Sequence, residues 1–332
     1  MKKLIIITAI IILGLSAFFG YGLWYKTSDA EIIFSISEES TPSEIAERWP
    51  FDNFWKQSFI SGCALKRLKQ IPAGKYKISA DMSPIDVIHM LRRKEQIDIL
   101  IRIDTTNQSD SLFQLFTQEL GQPSMQYQNA FDSVFHSEYP VSNANIRTTY
   151  FFADTYTFTY GEQAIKIAKR FHQFYLDFWT NERLEKAKEL GLTKEEVYIL
   201  ASMVKGETKI FSEASTIAGL YLNRLRKPMK LQCDATVKYA LQLKNAQRIL
   251  KQDLNLNSPY NTYIIDGLPL GPIFITEKKY IDAVLQYEKH NFVYMCAADD
   301  GSGQHLFTSS FDEHQKNAVR YQKYLNGLNI QR

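Results

Sequence analysis

Residues Leu4 to Tyr25 carry no charge and are mostly apolar, and no other feature limits the fold of this chain so sharply. At about 1.5 Å per residue in a helix, a run of this length crosses the hydrocarbon core of a bilayer. Lys2 and Lys3 on the short flank predict an N-terminus in the cytoplasm, with everything after Lys26 outside it. Trp24 and Tyr25 suit the interface. The other reading is a cleavable signal peptide, but the run exceeds the usual apolar length and no small-x-small cleavage site follows closely. Residues 1–26 are therefore expected to be a cytoplasmic tip and single-pass transmembrane anchor in the cytoplasmic (inner) membrane. The rest is expected on its outer, periplasmic side.

The chain as a whole is 45% apolar, a globular composition, and the three hundred residues beyond the run are enough to bury a sizeable core. Lys and Arg number 39 against 36 Asp and Glu, a net +3 that excludes the basic excess of a nucleic-acid binder. Cys63, Cys233 and Cys296 are too few for a disulfide framework or a zinc site, although one pair could bridge. No His pair has metal-ligand spacing and no Gly-x-Ser-x-Gly elbow appears, so neither a metal, another cofactor nor a serine nucleophile is expected.

Local patterns divide the body in two. Ile32 to Ile36 reads as a strand, Thr41-Pro42-Ser43-Glu44 as a helix start with capping Thr and Pro at N1, Gly74 to Ile78 as a second strand, and Ser83-Pro84-Ile85-Asp86 as another helix start. This compact unit, residues 31–96, resembles a LysM-like module, which implies contact with wall glycan. Ile97, Ile99, Ile101 and Ile103 alternate with mainly polar residues, as a half-buried strand does, and open a second domain over residues 97–332. Further on, Ser111 to Val134 reads as an irregular helical stretch, Tyr150 to Tyr160 as extended, Gln163 to Leu190 as one long helix stopped at Gly191, and Phe292 to Ala297 as a buried strand. The fold class expected is α+β: transmembrane helix, LysM-like subdomain, and mixed α/β catalytic domain.

Thr193-Lys194-Glu195-Glu196 is a capping box opening a helix with Val197, Leu200, Ala201 and Val204 on one stripe. Glu207 extends that stripe, about 20° around the axis from Leu200. Desolvation raises a carboxyl pKa, and a Glu kept protonated near neutral pH can protonate a glycosidic oxygen. The plainer alternative is that the helix ends there and Glu207 meets solvent, Lys209 or Arg224.

Three polar clusters interrupt apolar sequence downstream: Asn223-Arg224, then Gln232-Cys233-Asp234-Ala235-Thr236, then Ser258-Pro259-Tyr260-Asn261-Thr262-Tyr263. They are candidates to line one cleft with Glu207, although each could instead be a cap or a turn. Gly267 to Ile273 has the composition of a rigid loop that could wall a groove. His305 is a candidate for substrate binding, while His314 reads as a surface or capping residue.

In this order, Ala201-Ser202-Met203-Val204-Lys205-Gly206-Glu207-Thr208, Tyr221-Leu222-Asn223-Arg224-Leu225, Leu231-Gln232-Cys233-Asp234-Ala235-Thr236-Val237, Ser258 to Tyr263, Gly267-Leu268-Pro269, Gly303-Gln304-His305-Leu306-Phe307 and Glu313-His314 resemble the YceG-like (MltG) family of endolytic murein transglycosylases. The resemblance covers residues 150 to about 325. It implies a lyase that cleaves nascent peptidoglycan glycan strands between N-acetylmuramic acid and N-acetylglucosamine, leaving 1,6-anhydromuramic ends. The family's catalytic Glu falls on Glu207. Asp154 and Tyr156 also match and join the candidate substrate-binding set of Asn223, Arg224, Gln232, Asp234, Tyr260, Asn261, Thr262 and His305. Wall synthases in the same membrane are the candidate protein partners.

The sequence departs from the family at Lys205, where many members carry another Glu, and at Arg147-Thr148-Thr149, where Leu-Glu-Gly is common. Cys233, Ala235 and Leu270 replace a small polar residue, Pro and Pro. The competing function is a non-catalytic, membrane-anchored wall-binding or scaffold protein. A third, true hydrolysis, would need a second carboxylate such as Asp154, Glu213 or Asp234 opposite Glu207.

Overall fold

In the computed structural model of the chain, the described residues are 31–105, 109–138, 145–243 and 249–327, together with 20–25 and positions 7, 8, 10, 14 and 17. Half of the apolar run from Leu4 to Tyr25 thus lies outside them, and among the described residues no helix is long and apolar enough to cross a membrane. The elements in chain order are β1 (Ile32–Ile36), α1 (Pro42–Arg48), α2 (Asn53–Leu65), β2 (Gly74–Ile78), α3 (Pro84–Arg93), β3 (Ile99–Ile103), α4 (Ser109–Leu120), α5 (Ser124–Val134), β4 (Asp154–Phe158), α6 (Ala164–Phe178), α7 (Asn181–Leu190), α8 (Lys194–Glu207), α9 (Ala214–Arg226), α10 (Asp234–Ala240), α11 (Lys278–Leu285), β5 (Tyr294–Ala297), β6 (His305–Thr308) and α12 (Phe311–Gly327). Three two-stranded sheets, β1–β2, β3–β4 and β5–β6, sit among these helices, an α+β arrangement.

The chain packs as two units, one of residues 1–101, 115–124 and 156–163, the other of residues 102–114, 125–155 and 164–332. In the first, β1 and β2 pair antiparallel with Ile32 opposite Ile78. Thr41 and Glu44 close a reciprocal capping box on α1, Asp52 caps α2, and Ser83 with Asp86 does for α3 what Thr41 and Glu44 do for α1. These caps satisfy main-chain donors that helix geometry leaves unpaired. The core they enclose is Ile36, Trp49, Trp55, Phe59, Tyr76, Ile78, Val87, Ile88 and Leu91, with Trp55 and Phe59 stacked 5.7 Å apart. Each such side chain contributes about 1.5–3 kcal/mol on burial.

In the second unit α8 is the central element. The single apolar stripe expected for it is an underestimate: every residue from Val197 to Val204 is buried, because α7, α9, α10 and α11 all pack on it. A helix enclosed on all sides must satisfy its polar side chains internally. Ser202 Oγ donates to Ile199 O and accepts from Ile273 N at 3.1 Å, and Tyr198 Oη donates to Phe151 O and accepts from Thr276 N at 3.0 Å. The bond from Ile273 N holds the end of the loop from Gly267 to Ile273 to α8.

Three expectations need correction. The long helix from Gln163 to Leu190 is two helices, broken at Trp179 and Thr180, where Thr180 accepts from Arg183 N and caps the second. The apolar pattern ran through the break because Phe178 and Trp179 are both buried in it. Ser111 to Val134 is likewise two helices, α4 and α5, divided at Gly121, whose φ of +89° suits glycine. The strand from Phe292 to Ala297 is shorter, β5, and half-buried rather than buried. Cys63, Cys233 and Cys296 are unbridged.

Candidate active site

Glu207 is the last residue of α8, and six later segments converge on it. It lines a cavity of about 290 Å³ with Tyr221 and Arg224 of α9, Gln232, Asp234 at the start of α10, Tyr263, Met295 to Ala297 of β5, His305 of β6 and His314 of α12. That volume is at the small end of the roughly 300–1,000 Å³ typical of ligand sites. Tyr221 Oη donates to Glu207 Oε1 at 2.8 Å. Glu207 is half-buried by exposed area, yet its carboxyl lies under enough protein that desolvation raises its pKa above the ordinary glutamate value. Hydrogen bonds from Cys233 and Tyr221 oppose that rise, the Asp234 carboxylate adds to it, and the charge of His305 opposes it. A helix C-terminus also disfavours a carboxylate, in the same direction as burial.

The walls are built by main-chain anchoring. Arg224, 7% exposed, donates from Nε to Val293 O at 2.7 Å and from Nη1 to Leu231 O at 2.6 Å, so its guanidinium ties the approach to β5 to the segment before Gln232. Gln232 adopts φ +52° and donates its N–H to Thr262 O at 3.0 Å. Such a left-handed backbone costs a non-glycine residue energy, and the surrounding bonds hold it there. Thr262 and Thr236, both fully buried, share a hydroxyl bond at 2.9 Å, and Thr262 Oγ1 accepts from Cys233 N. Tyr263 Oη donates to Asp234 Oδ1 at 2.6 Å.

Of the residues expected at the site, Glu207, Arg224, Gln232, Asp234 and His305 line this cavity. Thr262 lies beneath Gln232 and Cys233, and Asn261 is fully buried, its amide spent on Leu254 O and Leu256 O. Asn223 donates to His290 O at 2.7 Å and Phe292 O at 3.0 Å, fixing the chain before β5. Tyr260 packs at a tilt against Tyr239 and donates to Asn145 Oδ1. Tyr156 is buried in the first unit. Asp154 lines a different cavity of about 360 Å³ in the second unit, with Arg102, Asp104, Lys205 and Glu277.

Sequence reading missed Tyr221, Cys296 and His314 as lining residues, whereas Tyr263 stood in a cluster expected to line the cleft and does so, and Glu213 was considered only as an opposing carboxylate. Glu213 is buried behind the cavity wall, where it accepts from Thr208 Oγ1 at 3.1 Å and from His305 N at 2.6 Å. Tyr221 carried a visible signal, a hydroxyl beside the Asn-Arg pair. Arg147, at a departure from the family pattern, is buried in a two-point pairing with Asp132 at 3.0 Å, a structural role. Among the described residues no group of three or more His, Cys, Asp or Glu could hold a metal ion.

The arrangement supplies one protonatable carboxyl, oriented by a phenol, in a small polar cavity. Residues 34–320 match the YceG-like family. The endolytic murein transglycosylase of Bacillus subtilis (strain 168) is 33% identical over 188 residues, 54% of this chain and 50% of that protein. The protein of the same name from Streptococcus pneumoniae serotype 2 is 30% identical over 139 residues, 40% of this chain and 25% of that one. This chain therefore covers half or less of the length of these relatives. A crystal structure of a YceG-like protein from Listeria monocytogenes shares the fold, with a TM-score of 0.55 at 21% identity over 87% of this chain and 99% of that one.

Proposed function

The chain belongs to the YceG-like family, and on that premise we infer that it is an endolytic murein transglycosylase, a lyase acting on peptidoglycan glycan strands. The observation that carries this reading is the Glu207 carboxyl, raised in pKa by burial and bonded through Oε1 to Tyr221 at the wall of a small polar cavity. Tyr221 fixes the carboxyl through Oε1, and the proton the carboxyl holds can be donated into the cavity. Glu207 protonates the bridging oxygen between N-acetylmuramic acid and N-acetylglucosamine, and the muramic C6 hydroxyl closes on C1, giving a 1,6-anhydro end. Water is not a reactant, so a paired nucleophile or base of the hydrolytic kind is not required. The relatives named for this activity support the assignment.

Around that chemistry we place the residues lining the cavity, Arg224, Gln232, Asp234 and His305, as the substrate contacts. The run from Leu4 to Tyr25 is a single-pass anchor in the cytoplasmic membrane, holding the body on its periplasmic face beside wall synthases. The unit of β1, β2 and their helices serves as the LysM-like glycan-contacting part.

The test is digestion of purified glycan strands by the full-length protein, with mass analysis of the new ends. Anhydromuramic ends from the parent, lost in Glu207→Gln, are expected. Reducing ends would mean hydrolysis, and intact strands would leave wall binding or scaffolding as the function.

A further inference from the structure

We propose that His305 is a second catalytic residue, the base that takes the proton of the muramic C6 hydroxyl, and that Glu213 is the residue that positions it. This rests on the lyase reading above. Glu213 is 8% exposed, and its carboxylate faces His305 with both oxygens: Oε1 accepts from the main-chain N at 2.6 Å and Oε2 from Nδ1 at 3.0 Å. Oε2 also accepts from Thr208 Oγ1, the residue that follows Glu207. A carboxylate only accepts, so Nδ1 carries a hydrogen and the lone pair of the neutral ring lies on Nε2.

Nε2 has no hydrogen-bond partner among the described residues, and the ring lines the cavity shared with Glu207. A group needed only to touch sugar has no use for a buried carboxylate fixing its tautomer. A base does, because the carboxylate also stabilises the imidazolium that proton uptake creates. The groups sharing the cavity with His305 are Glu207, Asp234, Arg224, His314, Tyr221, Tyr263 and Cys296, with Cys233 bonded to Glu207 and Glu213 behind the ring.

The step balances. The C6 hydroxyl gives its proton to Nε2 as the O6–C1 bond forms. The C1–O4 bond breaks as Glu207 gives its proton to O4. Imidazolium and carboxylate remain, and return of one proton from His305 to Glu207 across the cavity restores both. The labour is thus divided: Glu207 acts as the acid, and it need not accept from the hydroxyl in the same turnover.

The experiment uses the full-length protein in detergent on purified glycan strands, counting anhydro ends against time. His305→Ala is expected to lower kcat by about 100-fold or more with KM little changed, and added imidazole to restore part of the rate. Glu213→Gln lowers kcat less, and the double variant is no slower than His305→Ala, because the two act as one unit. His305→Gln preserves a bond to Glu213 but has no basic nitrogen, so it shows the same loss in a folded protein. A His305→Ala variant that loses only KM, or whose rate imidazole does not restore, overturns the base. Parent protein that leaves no anhydro ends overturns the lyase reading and the base with it. Anhydro ends from the parent with His305→Ala unimpaired overturn the base alone.

Discussion

Two polar cavities open from the same helix. Lys205 and Glu207 are two positions apart on α8, on nearly opposite sides of it, and each lines one. On the Lys205 side charges meet charges: Glu277 lies 3.7 Å from both Lys205 and Lys279, and the Lys205 ammonium sits over the Tyr280 ring. On the Glu207 side the arginine lining the cavity, Arg224, spends its guanidinium on main-chain carbonyls, and a second carboxylate, Asp234, stands near. The difference is one of compensation. Glu277 meets two lysines, whereas a buried carboxyl with no cation to pair with is poised to hold a proton and give it away.

Glu207→Gln breaks the contrast most severely. Loss of strand cleavage by about 10²–10⁴-fold is expected, read as anhydro ends per unit time. The same variant reports the cost of the site. A carboxyl whose folded pKa is raised binds more protons folded than unfolded, so parent stability falls as pH rises from the unfolded Glu value through the folded one. Glu207→Gln lacks that fall, and its melting temperature is expected to exceed the parent's by a margin that widens with pH over this window. A parallel pair of melting curves would sink the idea that Glu207 is held protonated.

Arg224→Ala tests whether the second cavity is built by its cation rather than neutralised by it. It orphans buried carbonyls, so a loss of about 2–4 kcal/mol is expected in denaturant unfolding. A loss below about 1 kcal/mol would show that the bonds to Val293 and Leu231 matter little. Smaller effects come from the neighbours of Glu207. Tyr221→Phe removes a bond that lowers the Glu207 pKa, and Asp234→Asn removes a charge that raises it. The alkaline limb of kcat is expected to move to higher pH in the first and to lower pH in the second, and movement in the same direction would contradict the site's electrostatics. Smallest of all, Lys205→Met leaves Glu277 beside Lys279, so cleavage within about twofold of the parent and a stability change of about 0–1 kcal/mol are expected. A large loss of activity there would erase the distinction between the cavities.

Short-range chemistry was legible in the sequence. The boxes at Thr41, Ser83 and Thr193 and the alternation through Ile99, Ile101 and Ile103 depend only on neighbours and formed where those neighbours specify. The break at Thr180 was hidden because buried residues on both sides of it keep the helical period, and a capping threonine is a weak signal against that. At the site, polar residues in apolar surroundings pointed to Glu207, Arg224, Gln232, Asp234 and His305. The same signal also selected Asn223, Asn261 and Thr262, which serve the backbone. Sequence shows that a polar group is needed. Whether it faces the cavity or a carbonyl is decided by chain closure, and Tyr263 reaching Asp234 belongs to that class.

The Arg224 clamp carries one consequence for how the protein comes into being. Its guanidinium waits on a carbonyl of Val293, and the cavity it frames takes walls from β5, β6 and α12. Glu207 leaves the ribosome well before any of these. A growing chain therefore holds Glu207 without a chamber around it, and the proposed acid is enclosed only as the last strands and helix dock.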